Sequence, residues 1–319
     1  MNDNNDKIKT IITVVICTYN RWGLLKRTLD SLLEQEISES FDYEVLLVDN
    51  NSDDRTKEVV ESYLPRFYGK LKYLFEPKQG KSYALNRALI EAKGEVIAFT
   101  DDDCIVDNKW LEYICKSFLL NEVKCVGGRI VPIWEIDRPR WLIRRLYGRL
   151  ALLDYGDKSF KITDDKHNIY GANMAFRKDL FVKYGLFDTE LGRKGKRLYS
   201  GEDSAFIYNI VKNKENVMYQ ADLIVQHFIS KDRMNKKYFR KWHYDAGISS
   251  AILVEQEDKK KIIYSIPRYK IKIFIITLVE YLKALILFKK ELFFFECRLI
   301  YFISYFKCKL LEKVKGKKI

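Results

Sequence analysis

Val96-Ile97-Ala98-Phe99-Thr100-Asp101-Asp102-Asp103 runs from apolar, strand-favouring residues straight into three carboxylates. A short apolar run bounded by polar residues reads as a buried strand, here spanning Glu95–Thr100, whose carboxyl end displays the acids. Upstream, Ser82–Ala92 has helical periodicity and is closed by Gly94, and Leu71–Phe75 is again a short strand. Arg55–Leu64 is a helix ended by Pro65, Tyr43–Val48 a strand, Leu24–Leu33 a helix with Leu25, Leu29, Leu32 and Leu33 on one face, and Ile11–Cys17 the first strand. Strands alternating with helices at this spacing predict an α/β fold with a mostly parallel, doubly wound sheet. Such a sheet places its strand ends along one rim, where ligands bind in open α/β folds.

The rim loops are polar in every case: Thr18-Tyr19-Asn20-Arg21, Asp49 to Asp54, Glu76 to Lys81, and Asp101 to Asp103. Crowded carboxylates repel one another, and a hard divalent cation relieves that repulsion while keeping coordination positions open for phosphate oxygens. A solvated acidic turn accounts for the same three residues without a ligand. Gly80 and Lys81 open a helix, so backbone N–H groups and an ammonium can face an anion there, although a plain surface lysine fits equally. Ser52 and Asp54 read as cap and turn residues of the following helix.

Downstream the pattern predicts a helix over Asn108–Leu120, a strand over Cys125–Val131, and an insertion over Pro132–Asn168 with at least one helix. Ile169–Arg177 reads as a strand, Gly192–Gly201 as a glycine-rich loop, Glu202–Lys212 as a helix and Leu223–Phe228 as a last strand, with helices filling the remainder. Glu202 and Asp203 open their helix, where the dipole favours ionised carboxylates. One of them can therefore accept a proton, or both can simply cap the helix. His227 ends the last strand, as a structural residue or as a metal or phosphate ligand.

The segments Val14-Val15-Ile16-Cys17-Thr18-Tyr19-Asn20-Arg21, Leu46-Leu47-Val48-Asp49-Asn50-Asn51-Ser52-Asp53-Asp54, Gln79-Gly80-Lys81-Ser82-Tyr83-Ala84-Leu85-Asn86-Arg87-Ala88 and Ile97-Ala98-Phe99-Thr100-Asp101-Asp102-Asp103-Cys104 occur in this order. Gly171 to Arg177, Gly185 to Asp188, Gly201-Glu202-Asp203 and His227 follow. Together, over about residues 10 to 250, they resemble the family 2 glycosyltransferases of GT-A fold, of the kind that builds bacterial surface polysaccharides.

The resemblance implies an inverting transferase of hexosyltransferase type that moves a sugar from a nucleoside-diphosphate sugar, with UDP the favoured nucleotide, to a hydroxyl acceptor. It implies Thr18, Tyr19 and Arg21 on the base and ribose, with Tyr19 stacking, Asp49 on the base edge, and Asn50 shaping the turn. Gly80 and Lys81 then face phosphates. Asp101, Asp102 and Asp103 serve ribose and metal, with Asp101, Asp103 and His227 as ligands of Mn²⁺ or Mg²⁺. Asp203 is the implied base, Glu202 orients acceptor or base, and Asn173 lines the sugar and acceptor pocket. Of Trp134, Trp141 and Trp242, one of the first two is expected to stack on a sugar.

The chain's net charge is +13, and the segment Lys259–Ile319 holds 16 Lys or Arg against 4 Asp or Glu, which leaves the first 258 residues nearly balanced. The expected division is a catalytic domain over 1–258 and a basic, aromatic-rich helical tail over 259–319. From Lys272 to Lys290 the charged positions 272, 280, 283 and 290 cluster within about 80° of a helical wheel, opposite Phe274, Leu278, Leu282 and Leu285. A membrane surface is the expected partner of such a tail, with a lipid-linked glycan as acceptor. Six cysteines without a C-x-x-C pair suit a reduced setting, the first residues lack a signal-peptide pattern, and charges interrupt every long apolar stretch. The expected location is therefore cytoplasmic, peripheral on the inner face of the cell membrane.

Two competitors fare worse. A nucleotide-sugar nucleotidyltransferase needs a glycine-rich first loop, and Val14 to Arg21 has no glycine. A nucleic-acid-binding protein needs its charge on the body, and here it is confined to the tail, so no nucleic acid is expected.

Overall fold

In the computed structural model, residues 10–119, 122–164, 167–191, 201–253, 262–263 and 266–315 are described. Close contacts divide the chain into two compact units, one of 1–133, 151–195 and 202–228, the other of 134–150, 196–201 and 229–319.

The first unit is built on a nine-stranded sheet. β1 (Thr10–Thr18), β2 (Phe41–Asp49), β3 (Leu71–Phe75) and β4 (Val96–Asp101) form its parallel part in the order β3-β2-β1-β4. They are joined through α1 (Trp22–Leu33), α2 (Thr56–Tyr63) and α3 (Lys81–Glu91). Val14, Val15 and Ile16, Val45 to Val48, and Val96 to Phe99 are all buried, as strands covered on both faces require. Register decides what reaches the rim: Thr18 lies opposite Asp49, and Cys17 opposite Asp101.

The parallel order stops at β4, and the sheet as a whole is mixed. β5 (Cys104–Val106) leads into α4 (Trp110–Leu119), and β6 (Cys125–Trp134), β7 (Phe160–Ile162), β8 (Met174–Arg177) and β9 (Val217–Ile229) follow. β8 pairs antiparallel with both β4 and β6, and β9 pairs antiparallel with β5 and β7. α5 (Asp179–Tyr184) and α6 (Glu202–Lys212) are anchored by an aromatic cluster: the Phe181 and Phe206 rings stack at 4.9 Å, and Phe176 meets Phe206 at 5.5 Å. That cluster fixes the start of α6, and with it Glu202 and Asp203.

Two elements differ from the sequence expectation, and a third is not among the described residues. The strand expected over Ile169–Arg177 is confined to Met174–Arg177, because the Asn173 N–H bonds back to the Tyr170 carbonyl and makes a turn. The insertion over Pro132–Asn168 contributes a 3-10 helix, Arg144–Leu150, and no α-helix among its described residues. The loop expected over Gly192–Gly201 lies outside the described residues except for Gly201.

The second unit is helical. α7 (Lys236–Leu253) packs along α9 (Leu292–Lys315), with α8 (Arg268–Ile286) against α9, and a two-stranded hairpin of β10 (Ile262–Ile263) and β11 (Ile266–Pro267) precedes α8. A Cβ on Gly247 would come within 1.9 Å of Ser304 Oγ and 2.3 Å of the Tyr301 carbonyl, so glycine is what lets α7 and α9 approach. The described part of 259–319, residues 262–263 and 266–315, thus shares one packed unit with α7.

Candidate active site

Two groups of side chains meet at the carboxyl rim of the first unit. The first lies in a pocket lined by Cys17, Lys81, Thr100, Asp101, Gly171, Met174, Glu202 and Asp203. Lys81 Nζ is 2.6 Å from Asp101 Oδ1. Burial alone would lower the pKa of this ammonium, but Asp101, Glu202 and Asp203 outweigh it and raise it. Burial likewise opposes ionisation of Asp101, yet Lys81 holds this carboxyl below its usual range. Asp203 accepts from the Gly171 N–H at 3.0 Å and the Ser204 N–H at 2.7 Å, which fixes its carboxylate at the mouth of α6.

The second group surrounds Asp102 and Asp103. Asp102 accepts from the Thr18 hydroxyl at 2.8 Å and from Arg21 Nη1 at 3.1 Å, and the same nitrogen lies 2.9 Å from Asp103 Oδ2. Attraction by Asp102 raises the Arg21 pKa despite burial of the guanidinium. Arg21 thus turns inward onto the acids, and Thr18 is buried against Asp102, where the sequence reading had both on base and ribose.

His227 Nε2 stands 3.2 Å from Asp103 Oδ1. The pairing of β5 with β9 sets Cys104 opposite His227, and the Phe228 N–H donates to the Asp103 carbonyl at 2.8 Å. Asp103, Cys104 and His227 each bring a ligating atom within 4.8 Å of the others. A carboxylate oxygen beside an imidazole nitrogen can hold a divalent ion, and burial pushes the Cys104 thiol next to them far up. The donor set at Asp103 and His227 therefore fits a divalent ion. Asp101 instead faces Lys81.

The remaining expected residues separate. Asp49 ends β2 and accepts from the Tyr73 hydroxyl at 2.8 Å and the Ser52 N–H at 2.9 Å, and Tyr19 stands 43% exposed on the rim. Asn50 shapes the turn, as its sequence position implied, and Gly80 and Asn173 are likewise held in bracing contacts. The Asn50 amide donates to the Glu76 and Lys78 carbonyls and accepts from the Gly80 N–H, so neither residue's polar group is offered to a phosphate. Asn173 is fully buried: it accepts from Trp110 Nε1 at 2.8 Å and donates to the Arg129 and Leu223 carbonyls. Its place beside β6 depends on Gly128, where a Cβ would lie 2.7 Å from the Asn173 amide nitrogen and 1.9 Å from the Leu223 carbonyl.

Trp141 packs edge-on against Phe239 and Phe293, Trp134 against Tyr147, and Trp242 lies under the Arg149 guanidinium. Trp141, the better packed of the two expected sugar platforms, serves its own unit's core. Sequence reasoning missed Tyr73, Cys17 and Met174. Tyr73 and Met174 carried no local signal, and Cys17 was visible only as the residue before the first rim loop.

The family model described as glycosyl transferase family 2 matches residues 13–185. Glucosyl-dolichyl phosphate glucuronosyltransferase of Haloferax volcanii is 26% identical over 225 residues, 68% of this chain and 68% of its own length. Succinoglycan biosynthesis protein ExoM of Rhizobium meliloti is 23% identical over 248 residues, covering 77% and 76%. Among solved structures, mannosyltransferase PcManGT from Pyrobaculum calidifontis, in complex with GDP-Man and Mn²⁺, superposes with a TM-score of 0.59 at 19% identity, covering 98% of this chain and 77% of its own. Staphylococcus aureus TarS 1-349 in complex with UDP gives 0.53 at 16% identity, covering 96% and 92%. These likenesses show a GT-A fold. The family match spans more than half of the sequence and includes the first three strand ends and the acidic run, so this chain belongs to glycosyl transferase family 2 and is a glycosyltransferase.

Proposed function

We propose that the enzyme moves a sugar from a nucleoside-diphosphate sugar to a hydroxyl of a lipid-linked glycan in bacterial cell-surface polysaccharide synthesis, with inversion at the anomeric carbon. Residues 1–258 carry the catalysis, and 259–319 hold the enzyme on the inner face of the membrane. The observation that carries the reaction is Asp203, a carboxylate fixed by two backbone N–H groups in the same pocket as Asp101 and Lys81.

Asp203 takes the proton of the acceptor hydroxyl as its oxygen attacks the anomeric carbon, and the nucleoside diphosphate leaves from the opposite face. Glu202 shares the pocket and positions the acceptor, and Lys81 offsets the charge of the carboxylates around it. Tyr19 offers its exposed ring to the base, and Asp49 accepts from the base edge. Asp103 and His227 hold the divalent metal, which when bound supplies positive charge against the diphosphate. UDP as the nucleotide is supported by solved structures of GalNAc-T7 with UDP, GalNAc and Mn²⁺ and of TarS with UDP. GDP-Man in PcManGT supports guanosine as the second reading.

Asp203→Asn tests the base: turnover should fall by about 10²- to 10⁴-fold while donor binding is unchanged. Loss of donor binding in that variant would refute the assignment. Product stereochemistry read by NMR should show inversion, and transfer to a lipid-free acceptor as fast as to the lipid-linked one would refute the acceptor.

A further inference from the structure

A water-facing helix keeps its apolar residues inward, and α8 leaves most of them outward. Its side against the rest of the second unit buries Thr277, Ala284 and Lys270. Its outward side presents Ile275, Val279, Leu282 and Ile286, which fall within about 60° of arc at 100° per residue. Their exposures are 54%, 44%, 48% and 74%. Leu278 and Leu285 widen the stripe, and Leu287 and Phe288 continue it past the helix end, with Phe288 92% exposed. An apolar surface this large and contiguous is normally covered.

Charge selects the cover. Lys272 and Lys283 rim the stripe at about 60° and 80° on the same wheel, Arg268 stands at its start, and Lys289 and Lys290 follow its end. Glu280 is the helix's acidic residue, and it pairs with Lys283 at 2.9 Å. The lysines line one edge of the stripe, so a second copy packed antiparallel on this face would set basic edge against basic edge, whereas anionic headgroups neutralise that edge. Among the described residues no helix is long and apolar enough to cross a membrane. An amphipathic helix of this kind lies in the plane of the interface.

We propose that α8 is an in-plane membrane anchor, its Ile275–Val279–Leu282–Ile286 stripe set among the acyl chains and its lysines at the phosphates of an anionic leaflet. This deepens the lipid-acceptor reading given above by naming the docking element. The test uses the full chain and no donor or acceptor: co-sedimentation with phosphatidylcholine vesicles and with vesicles of phosphatidylcholine and phosphatidylglycerol at 3:1. Binding should be at least tenfold stronger to the anionic vesicles and weaken as salt is raised. The pair L282D/I286D should lose at least tenfold in affinity, while V182D, which charges an equally exposed apolar site in the first unit, and D203N should bind as wild type.

Because the changed side chains are already exposed, unfolding curves of L282D/I286D should match wild type, which separates lost docking from lost fold. Absence of binding to either vesicle, or binding unaffected by L282D/I286D, would overturn the proposal. So would a wild-type dimer in sedimentation that L282D/I286D dissociates, since a second copy then covers the face. None of these outcomes bears on the Asp203 assay.

Discussion

Asn173 and Asp203 lie close in the fold and do opposite work. Both N–H groups of the buried Asn173 amide go to the Arg129 and Leu223 carbonyls and its oxygen accepts from Trp110, so Asn173→Ala strips partners from one indole N–H and two carbonyls. The expected cost is about 2–3 kcal/mol in urea unfolding, with nucleotide affinity unchanged in the folded protein. A large loss of affinity at unchanged stability would return Asn173 to the ligand site. The sequence placed Asp101 to Asp103 on the rim because a strand and its end are local features. It could not say which way each carboxylate turns, since Arg21 and Thr18 reach Asp102 across more than 80 residues. His227 was visible only as a lone histidine at a strand end, and its meaning depends on the three-residue β5 opposite it.

At the scale of elements, α7 carries two sharp tests. His243 donates from Nδ1 to the Phe239 carbonyl and accepts at Nε2 from Arg149, so the folded state holds it neutral. Burial, with Arg149 adding to it, pushes its pKa down to about 3 from 6.5. Between these values the unfolded chain binds the proton and the folded one does not, so stability falls as pH drops below about 6.5. From pH 6 to pH 4 this one group accounts for a loss of about 2 kcal/mol, read as the difference in urea stability between wild type and His243→Gln at the two pH values. Equal slopes in both proteins would contradict it.

Gly247→Ala should cost about 1–3 kcal/mol, because its methyl meets the Tyr301 backbone and not only a movable side chain. Wild-type stability in that variant would mean α7 and α9 are not pressed together there. Apart from β5, the strands and α-helices before Leu120 were legible to within two or so residues, since each carries its own period and its own stop. β5 and β7, of three residues each, are too short to show a period, and pairing with β9 alone makes them strands.

Across the whole molecule, composition located the excess positive charge in residues 259–319, and the structure shows which side of α8 faces out. The sequence wheel put Leu278, Leu282 and Leu285 opposite the charged residues, the pattern expected of a helix on a membrane surface. The structure turns Thr277 and Ala284 inward and leaves the leucines out. Strands corresponding to β6, β8 and β9 were also legible, but strand order only as far as β4, where local βα units end and long-range antiparallel pairing begins.

The central claim, a nucleotide diphosphate held with a divalent metal at Asp103 and His227, is tested most directly by thermal unfolding of the full chain. UDP, GDP, dTDP and CMP are each added with Mn²⁺ or with chelator. One nucleoside diphosphate should raise Tm by about 5 °C at a hundred times its Kd, only with Mn²⁺, and Asp103→Ala should abolish that rise. No shift with any nucleotide, or a metal-dependent shift that persists in Asp103→Ala, would contradict it.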